Sequence, residues 1–157
     1  MLDKINNLIF KDLEVRHANN DDVKNLFKWF NSLDSIKYKY ITKTKILFID
    51  HKKWFEAVLK SSREKIFIIE KNGLSIGNIR LKITQYIDVD IYIIKKERKK
   101  GYAKLVLSDF IRILKKIDKK SIFEVLVSKA NLPSLRLFNS CGFKVLGVKK
   151  NFYRLRK

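Results

Sequence analysis

The stretch IYIIKKERKKGYAK, residues 91–104, joins a β-branched run to a charged turn and then to a segment with helical periodicity. A strand-to-helix junction of this kind gathers unpaired backbone N–H groups at the positive end of a helix dipole. Gly101 lets the backbone approach a bulky anion closely. The junction therefore predicts a pyrophosphate site. An exposed basic turn that only caps a helix would fit the same sequence. The basic side chains that add charge to it are Arg98, Lys99, Lys100 and Lys104.

A second motif, NLPSLRLFNSCGF at residues 131–143, follows a buried-looking strand about thirty residues downstream. Asn131 is a residue type that caps helices, and Pro133 suits the first helical turn. Gly142 is a plausible helix end signal. The motif therefore predicts a short helix over Pro133–Ser140.

Hydrophobic period and chain breakers predict the other elements. Strands are expected at Leu13–His17, Ile66–Glu70, Ser75–Lys82, Asp88–Ile94, Ser121–Ser128, Phe143–Val148 and Asn151–Arg156. Helices are expected from the capping cluster at 19–22 to about 31, at 50–60 and at 101–116. Lys71-Asn72-Gly73 is a hairpin turn signal between the second and third strands. The order β-α-α-β-β-β-α-β-α-β-β predicts an α+β, or mixed α/β, three-layer fold.

Length and composition predict a single domain over residues 1–157, because a chain that is 46% hydrophobic can fill one core of this size but not two. No apolar run approaches the roughly 18 to 20 residues of a membrane-spanning helix, and the opening is too charged for a signal peptide. We expect a cytoplasmic protein without a membrane partner. One Cys and two His offer no zinc-binding spacing, so no metal is expected.

A formal net charge of +20 makes nucleic acid a partner to be weighed. Of the 36 basic residues 28 are Lys, and they scatter over almost every segment. Lys is the weaker choice for bidentate phosphate recognition. We therefore expect no specific nucleic-acid partner, whereas phosphate-bearing small molecules are favoured by the positive field.

Together, the two motifs resemble the signature of the GNAT superfamily of N-acetyltransferases. That signature is Arg/Gln-x-x-Gly-x-Gly/Ala, followed by Asn-x-x-Ala/Ser-x-x-x-Tyr/Phe-x-x-x-Gly-Phe. The resemblance covers essentially the whole chain and implies the GNAT fold, a central, mostly antiparallel sheet flanked by helices, with acetyl-CoA as co-substrate. The cofactor-binding residues that it implies are Tyr92, Ile93, Ile94, Arg98, Lys99, Lys100, Gly101, Tyr102, Ala103, Lys104, Asn131 and Phe138.

The resemblance also implies how these residues act. Backbone amides of the loop at 98–104 would bind the pyrophosphate, and the strand at Tyr92–Lys95 would pair with pantetheine. This strand would splay from the next one, Phe123–Ser128, and open a slot for the thioester. A backbone N–H near Ile93 would bind the thioester carbonyl as its charge develops, and Asn131 would hold the pantetheine arm.

Phe138 departs from the family pattern, because many relatives have a tyrosine there that protonates the leaving thiolate. A phenyl ring has no proton to donate. The thiolate must then be protonated by another group, by water, or directly from the amine. Tyr102 and Tyr153 are substitutes to consider, although each also fits a packing aromatic with its hydroxyl in solvent.

Four side chains are candidates for the base, since an ammonium must lose a proton before it can attack. Asp88 and Asp90 face the same side of the cofactor strand, near where relatives often have an acidic residue. Glu124 lies in the neighbouring strand, where burial would raise its pKa. His51 is the fourth. Each carboxylate also fits a solvated strand face.

The N-terminal third suggests the acceptor. Trp29-Phe30-Asn31 and His51-Lys52-Lys53-Trp54-Phe55 resemble the W-x-N … H-x-x-W-F pattern of GNAT enzymes that acetylate nucleotide-linked amino sugars in pseudaminic and legionaminic acid pathways. The substrate-binding residues this resemblance implies are Trp29, Asn31, His51 and Trp54. The same aromatic residues also fit core anchors at helical spacing.

The sequence thus favours acetyl transfer to a primary amine, the 4-amino group of a nucleotide-linked amino sugar, by direct attack in a ternary complex. Cys141 has no His partner in the sequence that would activate it as a nucleophile. Acetylation of a protein amine, as on a ribosomal protein, is the alternative among enzymes. A non-catalytic acyl-CoA or nucleic-acid-binding module is the alternative of another class, and a homodimer is compatible with either.

Overall fold

The computed structural model describes residues 1–10, 12–40 and 44–157. Within them the strands are β1 (Leu8–Ile9), β2 (Leu13–His17), β3 (Glu64–Lys71), β4 (Leu74–Ile83), β5 (Ile87–Ile93), β6 (Phe123–Ser128), β7 (Lys144–Lys149) and β8 (Phe152–Arg156). The α-helices are α1 (Val23–Phe30), α2 (Leu33–Tyr38), α3 (Phe48–Lys60), α4 (Tyr102–Ile117) and α5 (Leu132–Ser140). No helix in these ranges is both long and apolar enough to cross a bilayer.

One sheet contains all of these strands in the order β1-β2-β3-β4-β5-β6-β8-β7. Every neighbouring pair is antiparallel except β5 and β6, which run parallel. The parallel pair follows from the connection through α4, since parallel neighbours need a long crossover. The expected mixed fold with a mostly antiparallel sheet is confirmed.

Pairing between β5 and β6 stops almost as soon as it starts. Ile87 lies opposite Phe123 and Asp88 opposite Glu124, and within the described residues no further pair joins the two strands. Beyond this point β6 pairs only with β8 on its other side, as far as Ser128. A gap therefore opens between the carboxyl-terminal halves of β5 and β6.

Both faces of the sheet are covered. The larger core lies under α4 and α5, where helix side chains such as Val106 and Phe110 pack with Phe67 of β3 and Phe123 of β6. The smaller core lies under α1 and α3 on the opposite face, which we call the acceptor face. Its buried members are Leu26, Trp29, Phe55, Val58, Ile66 and Ile68.

The structure reproduces the elements that have strong local signals. The Asn72-Gly73 hairpin forms with both residues at positive φ, 49° and 73°, as an Asn-Gly turn requires. The predictions missed α2 and β1, since six and two residues are too few to show a period. The start of α2 is marked instead by an N-cap residue, since the Ser32 hydroxyl accepts a hydrogen bond from the Ser35 amide at 3.2 Å.

His51 differs most from its expected place. It is only 1% exposed and lies among the rings of Phe27, Phe30, Trp54 and Phe55. Neither ring nitrogen has a hydrogen-bond partner within the described residues. Burial first, and then the positive charge of Lys39, lower the pKa of His51 to about 4. His51 therefore lies in the core as a neutral ring at pH 7, and its role as acceptor contact or base stays a prediction.

Replacing His51 by Leu should change how stability depends on pH. In the unfolded chain His51 gains a proton below its usual pKa of about 6.5, but in the folded protein only below about 4. The free energy of unfolding that comes from a neutral His51 is therefore fully present at pH 7. It is lost as the pH falls from about 6.5 to about 4, by about 3 kcal/mol at most. His51→Leu removes that loss, which urea unfolding of both proteins from about pH 7 to pH 4.5 would measure. A stability difference that stays constant with pH would contradict the assignment.

Candidate active site

The gap between β5 and β6 is held open by β4. Gly77 in β4 lies so close to the backbone of Tyr92 that an added Cβ would overlap the Tyr92 carbonyl oxygen. Only glycine permits this approach. The Ile94 amide donates to the Ile76 carbonyl at 2.8 Å, so the alternation along a strand points the Ile93 N–H away from β4 and into the gap.

The loop before α4 presents a set of free amides. Lys99 and Gly101 have positive φ, 63° and 85°, and the space beside the Gly101 Cα is open for at least 4 Å. Within the described residues no group accepts from the backbone amides of residues 99–104. Successive amides at a helix start form a concavity that attracts anions. The free amides support a pyrophosphate site here, which stays a prediction.

Arg98 donates its hydrogen bonds to acceptors within the protein. Its Nε donates to the Ile93 carbonyl and its Nη1 to Asp34 in α2, each at 2.8 Å. The guanidinium also lies 5.5 Å from the centre of the Tyr92 ring. Arg98 therefore fixes the loop against β5 and α2. Among its neighbours Lys100 is paired with Glu97 at 2.9 Å, and the backbone amides remain available for a ligand.

The second motif provides structure at the far side of the gap. The Asn131 side chain accepts from the Ser134 amide at 3.2 Å, which makes it the cap of α5. Phe138 is 2% exposed and packs edge-on against Phe143. Contacts of Asn131 and Phe138 with a cofactor stay predictions.

The two substitute tyrosines have other partners. The Tyr102 hydroxyl lies 3.4 Å from an Asp12 carboxylate oxygen, and the Lys71 ammonium lies 5.1 Å from its ring centre. The Tyr153 ring faces the Lys129 ammonium at 5.5 Å. A proton-donor role for either hydroxyl stays untested.

The carboxylates of the acceptor face differ in environment. Asp88 and Glu124 lie opposite each other at the closed end of the gap. Glu124 accepts two hydrogen bonds from Arg156, at 2.7 and 3.1 Å, so its charge is already compensated. Burial first, and then the negative charge of Glu124, raise the pKa of Asp88.

Asp90 is exposed and lies nearer the open end. It alternates with Tyr92 on the same face, and its register partner in β4 is Arg80. Burial lowers the pKa of Lys39, while the charge of Asp90 opposes that effect and the charge of Arg80 adds to it. Three charged groups therefore converge here, and Asp90 is the acidic one.

The expected substrate residues divide between surface and core. Trp29 is 7% exposed and stacks on Tyr92 with ring centres 5.9 Å apart. Trp54 is half-buried and faces the Arg80 guanidinium at 5.8 Å. The Asn31 side chain holds the backbone of Ile46, donating to its carbonyl at 3.1 Å and accepting from its amide at 2.9 Å.

Lys39 and Arg80 belong to the acceptor face but carried no sequence signal. Lysines are so frequent in this chain that one near the end of a missed helix does not stand out. Arg80 was visible only as one polar residue of a strand. The described residues also hold no cluster of three or more His, Cys, Asp or Glu that would suit a metal ion.

Comparisons place this geometry among known proteins. Solved structures similar in fold include the spermidine N-acetyltransferase from Vibrio cholerae in complex with CoA and spermine, at 17% identity and a TM-score of 0.79, with 94% of each chain covered. An aminoglycoside acetyltransferase in complex with coenzyme A has 15% identity and a TM-score of 0.77, over 92% of this chain and 94% of its own. A ribosomal L7/L12 α-N-protein acetyltransferase in complex with coenzyme A has 11% identity and a TM-score of 0.80, over 95% of this chain and 93% of its own.

At these identities the structural likenesses show the fold alone. No curated protein gives a significant match. The family model of the acetyltransferase (GNAT) domain matches residues 12–144, which is most of the chain. The chain therefore belongs to the GNAT family of acetyl-CoA-dependent N-acetyltransferases.

Proposed function

We propose that this enzyme acetylates the 4-amino group of a nucleotide-linked amino sugar. The observation that carries the proposal is the mixture of aromatic and cationic groups on the acceptor face. Trp54 faces the Arg80 guanidinium at 5.8 Å, Tyr92 faces the Arg98 guanidinium at 5.5 Å, and the charge of Arg80 acts on Lys39. Sugar rings and nucleobases pack on aromatic faces, and the phosphates of a nucleotide sugar would complement the cations. A net charge of +20 would oppose the approach of a polyamine.

The cofactor half of the proposal uses the loop and the gap. Amides of residues 99–104, with the positive end of α4, would bind the pyrophosphate. Bound acetyl-CoA supplies the thioester that is attacked. The Ile93 N–H, which points into the gap, would donate to the thioester oxygen as negative charge develops there.

Asp90 is the base in this proposal. It lies three residues before Ile93, roughly 10 Å along the strand, and its side chain shares a face with Tyr92. An amine seated over Tyr92 would be within one water of the carboxylate. Glu124 is paired with Arg156 and His51 is buried, so neither is as well placed.

Direct attack needs no enzyme nucleophile. The amine nitrogen forms its bond to the acetyl carbon, the carbon–sulfur bond breaks, and the thiolate takes a proton from water or from the amine. Phe138 cannot supply that proton. Cys141 is buried near Ser108, with Sγ and Oγ 3.6 Å apart, and no His or carboxylate lies within hydrogen-bond distance of it among the described residues.

A screen of acceptors tests the proposal. Thiol release from acetyl-CoA would be followed with nucleotide-linked 4-amino sugars, spermidine, an aminoglycoside and peptides with free amino termini. We expect turnover with the nucleotide-linked sugars and little with spermidine. Acetylation of peptides without any turnover of amino sugars would instead favour the protein-amine alternative.

Gly101→Val should weaken acetyl-CoA binding. The side chain would be strained at a φ of 85° and would fill the open space beside the loop amides. Losing hydrogen bonds to a charged phosphate predicts an increase in Kd of about 10- to 100-fold, measured by calorimetry. Gly73→Val is the matched control, because Gly73 also has a positive φ with open space around it but lies in the β3–β4 hairpin. Equal acetyl-CoA affinity in a folded Gly101→Val protein would move the pyrophosphate elsewhere.

Asp90→Asn should lower kcat by about 10²- to 10⁴-fold if Asp90 is the base. Asp88→Asn is its control on the same face and should have a much smaller effect. The pH profile separates the two, since Asp88 has a raised pKa and would place the acidic limb above the usual Asp range if it were the base. Loss of activity in Asp88→Asn with normal kinetics in Asp90→Asn would transfer the role to Asp88.

A further inference from the structure

A second basic feature lies on the acceptor face, apart from the loop before α4. It is a cleft of about 280 Å³ lined by Lys37, Lys39, Ser128, Lys129, Ala130, Asn151 and Phe152, which we call the lysine cleft. The lining comes from the end of α2, the end of β6 and the β7–β8 turn. No carboxylate is part of it.

A fourth lysine borders the cleft. The Lys149 ammonium lies 5.2 Å from the centre of the Tyr40 ring, and Tyr40 packs edge-on against Phe152, which lines the cleft, at 5.0 Å. Lys39 is held at the inner side, where its ammonium donates to the Phe30 carbonyl at 2.8 Å. The positive charges are therefore ordered around the cleft by aromatic and backbone contacts.

None of the lysines around the cleft forms an ion pair within the described residues, although the charge of Asp90 reaches Lys39 from a greater distance. Within the described residues, the lysines that form ion pairs are Lys52, Lys65, Lys71, Lys82 and Lys100. None of them lines the cleft. Like charges that converge around one cleft repel one another, and a bound anion would relieve that repulsion.

Lys129 of the cleft also lies at about the same height along the sheet as Ile93. Ile87 is level with Phe123 where β5 and β6 are paired, so six residues further along both strands Ile93 is level with Lys129. The Ile93 N–H is the expected partner of the thioester oxygen. Lys129 of the cleft and Ile93 are thus about level with each other on the two sides of the gap.

We propose that the lysine cleft binds the phosphate or diphosphate group of the acceptor, as a second anion site distinct from the amides of residues 99–104. The proposal rests on the proposed function in assigning the anion to the acceptor. Its volume of about 280 Å³ leaves room for a diphosphate. Lys37 and Lys129 are exposed and free to turn toward the ligand.

Inorganic pyrophosphate is the probe that tests this site. The protein is first saturated with coenzyme A, which fills the loop at 99–104, and pyrophosphate is then titrated by calorimetry. We expect it to bind the loaded wild type and to bind about tenfold more weakly to the double variant Lys37→Gln/Lys129→Gln, since two exposed charge pairs contribute about 1.4 kcal/mol together. Thermal unfolding of the variant should match that of the wild type.

The matched control is Lys119→Gln/Lys120→Gln. It removes the same charge from two exposed lysines between α4 and β6, and pyrophosphate affinity should change less than twofold. An equal loss in this control, or no binding to the loaded wild type, would overturn the cleft as a site.

Steady-state kinetics assign the anion. The cleft variant should have a higher KM for the acceptor and an unchanged KM for acetyl-CoA. A higher KM for acetyl-CoA would overturn the proposal by giving the cleft to the cofactor. The pyrophosphate titration does not depend on which acceptor the screen finds, so a failure of the amino-sugar proposal and a failure of the cleft are separate results.

Discussion

Backbone pairing between β5 and β6 ends after Asp88 and Glu124, and the proposed active site depends on that ending. Neither strand is loose beyond it. β5 stays bonded to β4, where the contact between Gly77 and Tyr92 leaves no room for a side chain, and β6 stays bonded to β8. Each strand is thus held on its outer side and free on its inner side. The gap is therefore a fixed part of the sheet. The Ile93 carbonyl is bonded to Arg98, and the Ile93 N–H stays free for a ligand.

The net charge of +20 is distributed unevenly around this gap. Several acidic residues, including Glu64, Glu70 and Glu124, are paired with arginine within the protein. In the loop at 99–104 Lys100 is paired with Glu97, whereas Lys99, Lys104 and the lysines of the cleft form no ion pair within the described residues. Fields from low-dielectric clefts concentrate anions, so both substrates of the proposed reaction would be drawn toward the same gap, with Asp90 between them as the acidic group.

How far the sequence could predict this site depends on whether the signal was local. Gly101 and the Asn72-Gly73 turn were predictable because a positive φ is a property of a few neighbouring residues. His51 and Asn31 were not, because the pattern that contains them gives residue types but not the direction in which they point. His51 proved to be surrounded by rings, and Asn31 was bonded to Ile46. Both contacts depend on how α1 and α3 pack, which no short motif specifies.

Arg98 shows how the two halves of the site are joined. As the first residue of the loop motif it would be assigned to the pyrophosphate, yet its Nε and Nη1 donate to Ile93 and Asp34. It also stacks near Tyr92, which stacks in turn on Trp29 of the acceptor side. Lysine could not replace it, since a single ammonium lacks the planar fork that reaches two acceptors while covering a ring. Arg98 therefore has a positioning role. It holds the loop before α4 in place through contacts with residues that also contribute to the acceptor face.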